Sequence, residues 1–558
     1  MAEANLIAGA HHKHALRRQE TKLGEEPSKS SSRLMEVVGG STRASVFLLI
    51  GNVAATVIQA IGVLFVARIL GPEQYGIYAL SFVVPNLALL FSDVGIDAAL
   101  VKFLSAAPEE GSVNRAKILR TGLLLKFSFS IVVLVLCMIF SKELALYVVN
   151  RPDIEFYLRL ASLTIIFQAL INSSIHSFVG LGKTEHSAVV NNTQAIGKVV
   201  IASSLVILGL GVFGALIGYV AGYLIGIIAA LLLFYKNYRQ IDNVTDDVKS
   251  LSVAKTILHY GLPIYVITIL TGIGAQYQSI ILAAFVSDKA IGNFNASANF
   301  ISLMATIAGA MSLSVFQGFS KLSKNGQVAR NFFTIVTKYT ALLMIPIALL
   351  ITLFAGELIV AVYGPSFDTA AIYLSFHVLI YLLSGLGSLT LSGLFNGLGE
   401  TKIFLRMGLV SSFILFMSAP ILTNALGVIG MVYAIFASTL ANTLVGLYFI
   451  YSKLDLRLSS RELGRTYAAP ILPAFLIFLI FQIVPISGLF KVVIGGILYM
   501  VVYLTLLVFL RVITSSNLEK MRQIASRITV LGYVIQPVLT YMLFVTSKLK
   551  DTEARLVD

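Results

Sequence analysis

Long apolar stretches recur along the whole chain, and each is close to the length of one membrane crossing. Two clear cases are SVFLLIGNVAATVIQAIGVLFVA, which starts at Ser45, and VVIGGILYMVVYLTLLVFL, which starts at Val492. A helix of about 20 apolar residues spans the hydrocarbon core of a bilayer. Because 57% of the residues are hydrophobic, 12% are charged and the mean hydropathy is +0.88, the composition excludes a soluble globular protein. The sequence predicts an all-α polytopic membrane protein.

Fourteen transmembrane helices are predicted, and the distribution of basic residues orients them. The predicted spans start near residues 45, 76, 119, 157, 187, 212, 260, 292, 333, 369, 403, 426, 469 and 490. With a cytoplasmic N-terminus, the inner loops and tails hold 32 of the 41 lysine and arginine residues, whereas the outer side holds six. Basic residues concentrate in the cytoplasmic loops of membrane proteins. The net charge of +14 is therefore explained by a cell-membrane location, without a nucleic-acid partner.

The two halves of the chain repeat each other at a nearly constant offset. LGVFG at Leu210 returns as LGVIG at Leu426, and Gly76 in GPEQYGIYALS aligns with Gly292 in SDKAIGNFNAS, in both cases 216 residues later. Several matches at one offset indicate a duplication. Each copy holds six predicted spans, so both copies have the same orientation, as in transporters built from parallel repeats.

The repeats divide the chain into six segments. These are a basic cytoplasmic tail (1–44), predicted to be disordered, the N-lobe with spans 1–6 (45–236), a cytoplasmic linker (237–259), the C-lobe with spans 7–12 (260–452), spans 13 and 14 (453–512), and an amphipathic, membrane-associated segment (513–558). Residues 529–545 are either an in-plane segment or a fifteenth span interrupted by Pro537. The tail contains HHKH at His11–His14, which we interpret as part of a basic tail, and no metal site is predicted.

The segment FVGLGKTEHS ends like the phosphate-binding loop of nucleotide-binding proteins but lacks the rest of that motif. The complete motif needs a preceding strand and a glycine five positions before Gly182, where this chain has Ser177. In the second copy, GLGET, Glu400 replaces the lysine and would repel phosphate. The glycines therefore predict a helix cap at a tight inner turn, and no nucleotide or other cofactor is expected.

Three segments carry a resemblance to a known family. ARILGPEQYGIYALSFVV, SDVGIDAALVKF and the later GLGKT are similar to the polysaccharide transporter family, which includes O-antigen and other lipid-linked oligosaccharide flippases. That family belongs to the multidrug/oligosaccharidyl-lipid/polysaccharide exporter superfamily, and the resemblance covers roughly residues 40–512. It implies two six-helix lobes around a central cavity plus a final helix pair. It also implies translocation of a polyprenyl-pyrophosphate-linked oligosaccharide from the inner to the outer leaflet, with glycosyltransferases or a glycan polymerase as candidate partners.

Spans 4 and 5 carry the polar side chains that are the first candidates for a head-group site. They are Gln168, Asn172 and His176 on one face of span 4, and Asn191, Gln194 and Lys198 on one face of span 5. Polar groups near the midplane avoid lipid, so they line a cavity or bond between helices. Burying the Lys198 charge costs about 2.5 to 3.5 kcal/mol. Attraction to a phosphate oxygen near 4 Å would contribute about 4 kcal/mol. Because this gain nearly equals the burial cost, the head group could both bind and be released.

Two further lysines lie at similar depths, and two histidines are also candidates. Lys126 and Lys338 in spans 3 and 9 could together bind pyrophosphate on the cytoplasmic side, or each could reach toward the inner interface. His176 and His377 could be cavity cations or proton-sensitive groups, although a neutral hydrogen-bonded histidine is the more common outcome.

The candidates for lining the cleft between the lobes come from spans 1, 7 and 8. Asn52, Thr56 and Gln59 share a face of span 1, Gln276 lies in span 7, and Asn295, Asn299 and Ser302 lie in span 8. These residues could grip sugar hydroxyls or form ordinary bonds between helices. Arg68, at the outer end of span 1, could close an outer gate or anchor the helix end.

Asp93 and Asp97 lie near the inner end of span 2. Acidic groups within a membrane often mark ion paths, so the pair is a candidate for ion coupling. The alternative is a structural pair whose charge is matched by a neighbouring lysine or arginine.

Three classes of function remain open at this stage. The flippase is favoured because the midplane residues are basic or neutral, whereas a cation-coupled multidrug antiporter needs carboxylates in its cavity. A membrane enzyme needs catalytic groups, usually on sizeable outer loops, and the predicted outer loops are only a few residues long. We therefore expect a transporter and no enzyme.

Overall fold

The computed structural model describes residues 51, 54–105, 115–237, 249–322, 326–454, 459–484, 486–513, 517–519, 522–523 and 536–548. Within these residues the chain is almost entirely helical and contains no β-strand. The predicted all-α fold is therefore confirmed. Asn52, the tail 1–44, residues 238–248 of the linker and residues 529–535 lie outside the described residues.

The helices follow the order of the predicted spans. The N-lobe contains α1 (Ala54–Phe91), α2 (Ile96–Ser105), α3 (Arg115–Ile139), α4 (Ser141–Tyr147), α5 (Glu155–Ser162), α6 (Thr164–Gly180), α7 (Thr184–Leu205) and α8 (Gly211–Asn237). The C-lobe contains α9 (Ser250–Phe285), α10 (Asp288–Ser320), α11 (Gly326–Leu353), α12 (Ala355–Tyr363), α13 (Ala370–Val378), α14 (Leu391–Gly397), α15 (Thr401–Leu426) and α16 (Val428–Leu454). Two more helices follow, α17 (Ser460–Ile483) and α18 (Leu489–Phe509).

Ten helices in the described part of the chain are long and apolar enough to cross a bilayer, or eleven if the bent pair Ala370–Leu386 and Leu391–Gly397 is one span. The count of fourteen stays a prediction. The two longest of the ten, Ala54–Phe91 with 38 residues and Thr184–Lys236 with 53, are the furthest above the roughly 20 residues that one crossing needs. Gly71 and Gly209 interrupt these two stretches with φ angles of 72° and 84°, which a right-handed helix does not contain.

The 53-residue stretch folds as a helical hairpin of α7 and α8. A Cβ added at Gly218 would lie 2.2 Å from the Cα of Ala202, and one added at Gly226 would lie 2.8 Å from the Cβ of Gln194. Because the contacts move back along α7 as they advance along α8, the two helices are antiparallel. Glycine at the interface permits the two backbones to approach closely.

The two lobes touch at the pair of glycines that the repeat aligns. A Cβ at Gly76 of α1 would lie 1.9 Å from the carbonyl oxygen of Asp288, and a Cβ at Gly292 of α10 would lie 1.8 Å from that of Pro72. We call this glycine pair the axial contact. Its reciprocal geometry is the one expected where two copies of a duplicated unit meet at their symmetry axis.

The chain after the C-lobe packs against that lobe. The Tyr503 hydroxyl of α18 donates to the carbonyl of Leu342 at 2.6 Å, and Lys491 pairs with Glu357 at 2.5 Å. Residues 536–548, from the predicted membrane-associated segment, form a helix that packs on α18, where the Thr505 and Tyr541 hydroxyls lie 2.8 Å apart.

Candidate functional site

A cavity of about 270 Å³ lies between the lobes, where α1 faces α10. Its lining consists of Thr56, Gln59, Ala60, Val63, Leu64, Asn299, Phe300, Ser302, Leu303, Thr306 and Val362. We call it the central cavity. The polar groups on its wall are hydroxyls and amides, and no acidic side chain occurs among the described residues that line it. Such a wall can donate and accept hydrogen bonds with sugar hydroxyls without attracting cations.

Lys198 lies directly behind this wall. Its ammonium group donates a hydrogen bond to Oε1 of Gln59 at 3.3 Å and lies 4.4 Å from the centre of the Tyr219 ring. The side chain is 7% exposed, and α8 leaves room for it because Gly222 has no Cβ where the two helices cross. None of the ion pairs among the described residues includes Lys198. A positive charge without a carboxylate partner therefore lies one side chain away from the central cavity.

Asn299 fixes the opposite wall of the cavity. Its amide donates to the hydroxyl of Tyr75 at 3.1 Å and to that of Tyr363 at 2.9 Å. Tyr75 belongs to the N-lobe and Tyr363 to the C-lobe, so this amide ties the two lobes together beside the cavity. Of the predicted cleft residues, Thr56, Gln59, Asn299 and Ser302 do line it. Gln276 is half-buried on α9 and is not among the lining residues.

The polar stripe predicted on spans 4 and 5 does not line the central cavity, apart from the indirect link through Lys198. Gln194 is 3% exposed and packs against Gly226 of α8. The Nδ1 atom of His176 lies 2.8 Å from the carbonyl oxygen of Asn172 on its own helix. Gln168, Asn172 and Asn191 are half-buried. Direct contact of these residues with a bound head group stays a prediction.

A buried charge cluster lies in the inner half of the N-lobe, and it contains three of the predicted residues. The Lys126 ammonium is 2.5 Å from Asp93 and 2.9 Å from Asp97, while the Ser173 hydroxyl also donates to Asp97. Lys126 is 2% exposed. The two expectations for Lys126, a shared pyrophosphate site with Lys338 and a reach to the interface, stay predictions beside this ion pairing. Lys126 is enclosed between two carboxylates, and at these distances its electrostatic attraction to them is stronger than that to any more distant charge.

The chain is bent where this cluster forms. The turn between α1 and α2 places Val94 at φ 45° and Gly95 at φ 77°, and the Asp97 backbone amide donates to the Asp93 carboxylate at 3.2 Å. His176 reaches to 4.0 Å from Asp97. The geometry is the one that a structural, lysine-matched pair requires, whereas a role of Asp93 and Asp97 in ion coupling stays a prediction.

The remaining basic candidates lie apart from each other. Lys338 is half-buried and lines a separate cavity of about 100 Å³ together with Glu462 of α17. His377 is 8% exposed and its ring stacks on Phe294 at 5.7 Å, while its Nδ1 atom has no hydrogen-bond partner in the described structure. His377 does not line the central cavity, and its role as a cavity cation or a proton-sensitive group stays a prediction.

Two contacts between the lobes flank the cavity on its outer side. Arg68 donates to the carbonyl of Ala361 at 3.1 Å, so the predicted outer-gate residue does bridge the lobes. Arg151 makes the larger contact, which we call the outer contact. It pairs with Asp288 at 2.8 Å and donates to the carbonyls of Ala283 and Val286 at 3.0 and 2.5 Å, near the end of α9. The sequence identified Arg151 only as a basic residue on the predicted outer side. Since just six basic residues lie on that side, each could have been considered a candidate for a specific contact.

A further contact between the lobes, which we call the inner contact, lies on the side predicted to be cytoplasmic. Gly95 and Gly261 meet so closely that a Cβ on Gly95 would lie 2.1 Å from the carbonyl oxygen of Gly261. Beside them, the Lys102 ammonium lies 3.9 Å from the centre of the Tyr260 ring, and Phe103 packs edge-on against the same ring. The two lobes therefore also touch at the outer contact and at the inner contact, on the sides predicted to be outer and cytoplasmic.

Comparison with known proteins shows a family and a fold that this chain shares. A family model described as "Polysaccharide biosynthesis protein" matches residues 65–372. A Haloferax volcanii protein named "Probable low-salt glycan biosynthesis flippase Agl15" is 22% identical over 480 residues, which cover 83% of this chain and 95% of that one. The solved structure of the lipid II flippase MurJ in an inward closed conformation aligns with a TM-score of 0.66 and 16% identity over 84% of this chain and 99% of its own. An inward-facing MATE multidrug transporter aligns with a TM-score of 0.56 and 15% identity over 72% and 94%.

Proposed function

The chain belongs to the polysaccharide biosynthesis protein family, and from that premise we propose that it is a flippase for a polyprenyl-(pyro)phosphate-linked oligosaccharide. The head group would pass from the cytoplasmic to the outer leaflet, supplied by glycosyltransferases on the inner side. The relative from Haloferax volcanii supports this proposal because its name assigns it to glycan biosynthesis as a flippase. The likeness to solved structures supports the fold alone.

The observation that carries the proposal is the position of Lys198. Its charge faces no carboxylate within ion-pairing range among the described residues, and its ammonium group donates a hydrogen bond to the neutral amide of Gln59, which lines the central cavity. An anionic head group in the cavity would therefore gain a charge-assisted hydrogen bond that the empty state lacks. The hydroxyl and amide groups of Ser302, Thr306 and Asn299 supply partners for sugars on the opposite wall.

The size of the cavity supports alternating access. Small-molecule sites commonly occupy about 300 to 1,000 Å³, and the central cavity of about 270 Å³ lies below that range. An oligosaccharide head group therefore needs the lobes to separate. We propose that the inner contact at Gly95 and Gly261 opens to admit the head group and that the outer contact at Arg151 opens to release it.

The alternative function is a cation-coupled multidrug antiporter, because the fold is also similar to that of a MATE multidrug transporter. A site for organic cations needs negative charge in the cavity. The carboxylates of Asp93 and Asp97 are instead paired with Lys126, and the described lining of the central cavity contains no acid. The geometry therefore favours an anionic substrate.

The test is flipping of a fluorescent lipid-linked oligosaccharide by purified protein in vesicles. Replacing Lys198 with Met keeps the volume and removes the charge, and we expect flipping to fall about tenfold to a hundredfold, because a hydrogen bond to a charged group contributes about 1.5 to 3 kcal/mol. Lys198→Arg should retain most activity. Lys402→Met, an exposed change at the inner end of α15, is the matched control. Unchanged flipping by Lys198→Met at equal protein level, or efflux of an organic cation by the wild-type protein, would refute the proposal.

A further inference from the structure

A second and larger cavity opens on the surface of α9, beside the inner contact. It has a volume of about 1060 Å³ and shares no lining residue with the central cavity. Its wall includes Phe103 of α2 together with Lys255, Thr256, His259, Tyr260 and Pro263 of α9. We call it the inner groove. Because the linker before α9 is predicted to be cytoplasmic, the groove faces the inner leaflet.

The wall of the inner groove changes character along α9. Lys255, Thr256 and His259 are exposed at its start, whereas Pro263 and Ile264 are exposed one to two turns further on. Eight residues of helix separate Lys255 from Pro263, a rise of about 12 Å. Lys255 and His259 are four residues apart and so share one face of the helix. A groove with a basic end and an apolar end is complementary to a lipid, whose head-group phosphate would face the basic end and whose hydrocarbon chain would face the apolar end.

We propose that the inner groove binds a phosphorylated lipid of the cytoplasmic leaflet. Its phosphate lies between Lys255 and His259, and its chain runs along Pro263 and Ile264 toward the membrane interior. Lysine and histidine on a helix face donate hydrogen bonds to phosphate oxygens without a carboxylate competitor in the described wall. Charge complementarity argues for this occupant, and the apolar half of the wall argues against a soluble anion.

The groove has a direct link to the inner contact. Tyr260 forms part of its wall, precedes Gly261, and carries the Lys102 ammonium on its ring face at 3.9 Å. A phosphate is a stronger partner for an ammonium than a ring face is. A bound lipid would therefore draw Lys102 away from Tyr260 and weaken the packing that keeps the lobes together on this side. Lipid binding and loosening of the inner contact become linked events.

The chain contains no tryptophan, which makes a direct binding test possible. Phe103→Trp places one indole in the groove wall, and Leu262→Trp places it on the neighbouring turn in case the first variant misfolds. The protein is reconstituted in phosphatidylcholine vesicles whose minor component is brominated phosphatidic acid or brominated phosphatidylcholine. We expect quenching to show a preference of about fivefold to 25-fold for the phosphatidic acid form, since one or two cations near the surface contribute about fivefold each.

The double variant Lys255→Gln/His259→Gln should reduce this preference to less than about twofold. Lys321→Gln, which removes one exposed charge at the inner end of the C-lobe, should leave it unchanged. The proposal is overturned if the preference survives the double variant, if the control lowers it equally, or if inorganic pyrophosphate at the same concentration competes as well as the lipid. The test measures binding without transport, so its outcome is separate from that of the flipping assay.

Discussion

The N-lobe and the C-lobe share one architecture but enclose different chemistry. Asp93, Asp97, Lys126 and Lys198 lie within the N-lobe, three of them in one cluster. The C-lobe does not repeat these four charges, because the residues 216 positions further on, at 309, 313, 342 and 414, are all uncharged; the half-buried Lys338 of α11 lies at a different position.

Neutral groups occupy the corresponding interior of the C-lobe. The hydroxyls of Thr337 and Thr390 lie 2.8 Å apart, and those of Ser411 and Ser438 lie 2.9 Å apart. By the repeat offset, Ile414 stands at the place of Lys198. Since the same helical arrangement forms around hydroxyl and apolar groups, the fold does not require the buried charges. Ion pairs inside proteins can often be replaced by neutral residues at little cost, so their presence in one lobe alone points to a task of that lobe.

The largest expected effect is a loss of stability when the cation of the buried charge cluster is removed. Lys126→Met leaves two carboxylates without their cation, and we expect the free energy of unfolding to fall by about 3 to 5 kcal/mol. The thermal midpoint of the purified protein in detergent measures this loss. Lys126→Met/Asp93→Asn/Asp97→Asn, which imitates the neutral C-lobe, should recover most of it.

The same triple variant decides what the cluster does. Normal flipping by the stable triple variant would limit the cluster to a structural role, whereas a folded protein without flipping would support ion coupling. A triple variant less stable than Lys126→Met alone would contradict the comparison between the lobes.

The second largest effect is a loss of stability at the axial contact, where the two lobes are expected to be equivalent. Gly76→Ala and Gly292→Ala each place a methyl group less than 2 Å from a backbone carbonyl of the other lobe. We expect each to cost about 1 to 3 kcal/mol of stability, and the two costs to agree. Gly309→Ala is the control, because a Cβ there meets nothing within 4 Å and helix propensity favours alanine. A large cost at only one of the two axial glycines would show that the contact is not symmetric.

The smallest effect belongs to a charge pair of the C-lobe. Lys453 and Glu400 lie 2.8 Å apart, with side chains 47% and 44% exposed. Exposed pairs contribute about 0 to 1 kcal/mol, so Lys453→Gln should hardly change the thermal midpoint. If Lys453→Gln lowered the thermal midpoint as much as Lys126→Met does, solvent exposure would not explain why the charge pairs of the two lobes differ in their contribution to stability. Glu400→Gln provides the reciprocal measurement.

Sequence patterns predicted the features that depend on one helix at a time. Apolar stretches predicted helices long enough to span a membrane. The repeat aligned Gly76 with Gly292, which the structure brings into contact, and helical spacing placed Gln59 and Asn299 on faces that do line the central cavity. These predictions need only helical periodicity and the duplication.

The partners of the buried charges could not be predicted in the same way. Lys126 meets acids 29 and 33 residues earlier in the chain, and Lys198 meets Gln59 across 139 residues. Such pairings depend on how each helix is rotated about its axis, which a single sequence does not specify. The stripe of Gln168, Asn172 and His176 illustrates the point, since its residues share a face that does not line the central cavity.

The axial contact has a mechanical consequence. Two backbones that touch without side chains can act as a fulcrum, because nothing bulky must slide past when one body tilts against the other. Gly95 follows Gly76 by 19 positions, a lever arm of about 28 Å if the path were wholly helical. A tilt of about 15° at the fulcrum would swing the inner rim by about 7 Å while the pivot itself stayed almost still. Small rotations at the axial contact would thereby be amplified at the inner contact.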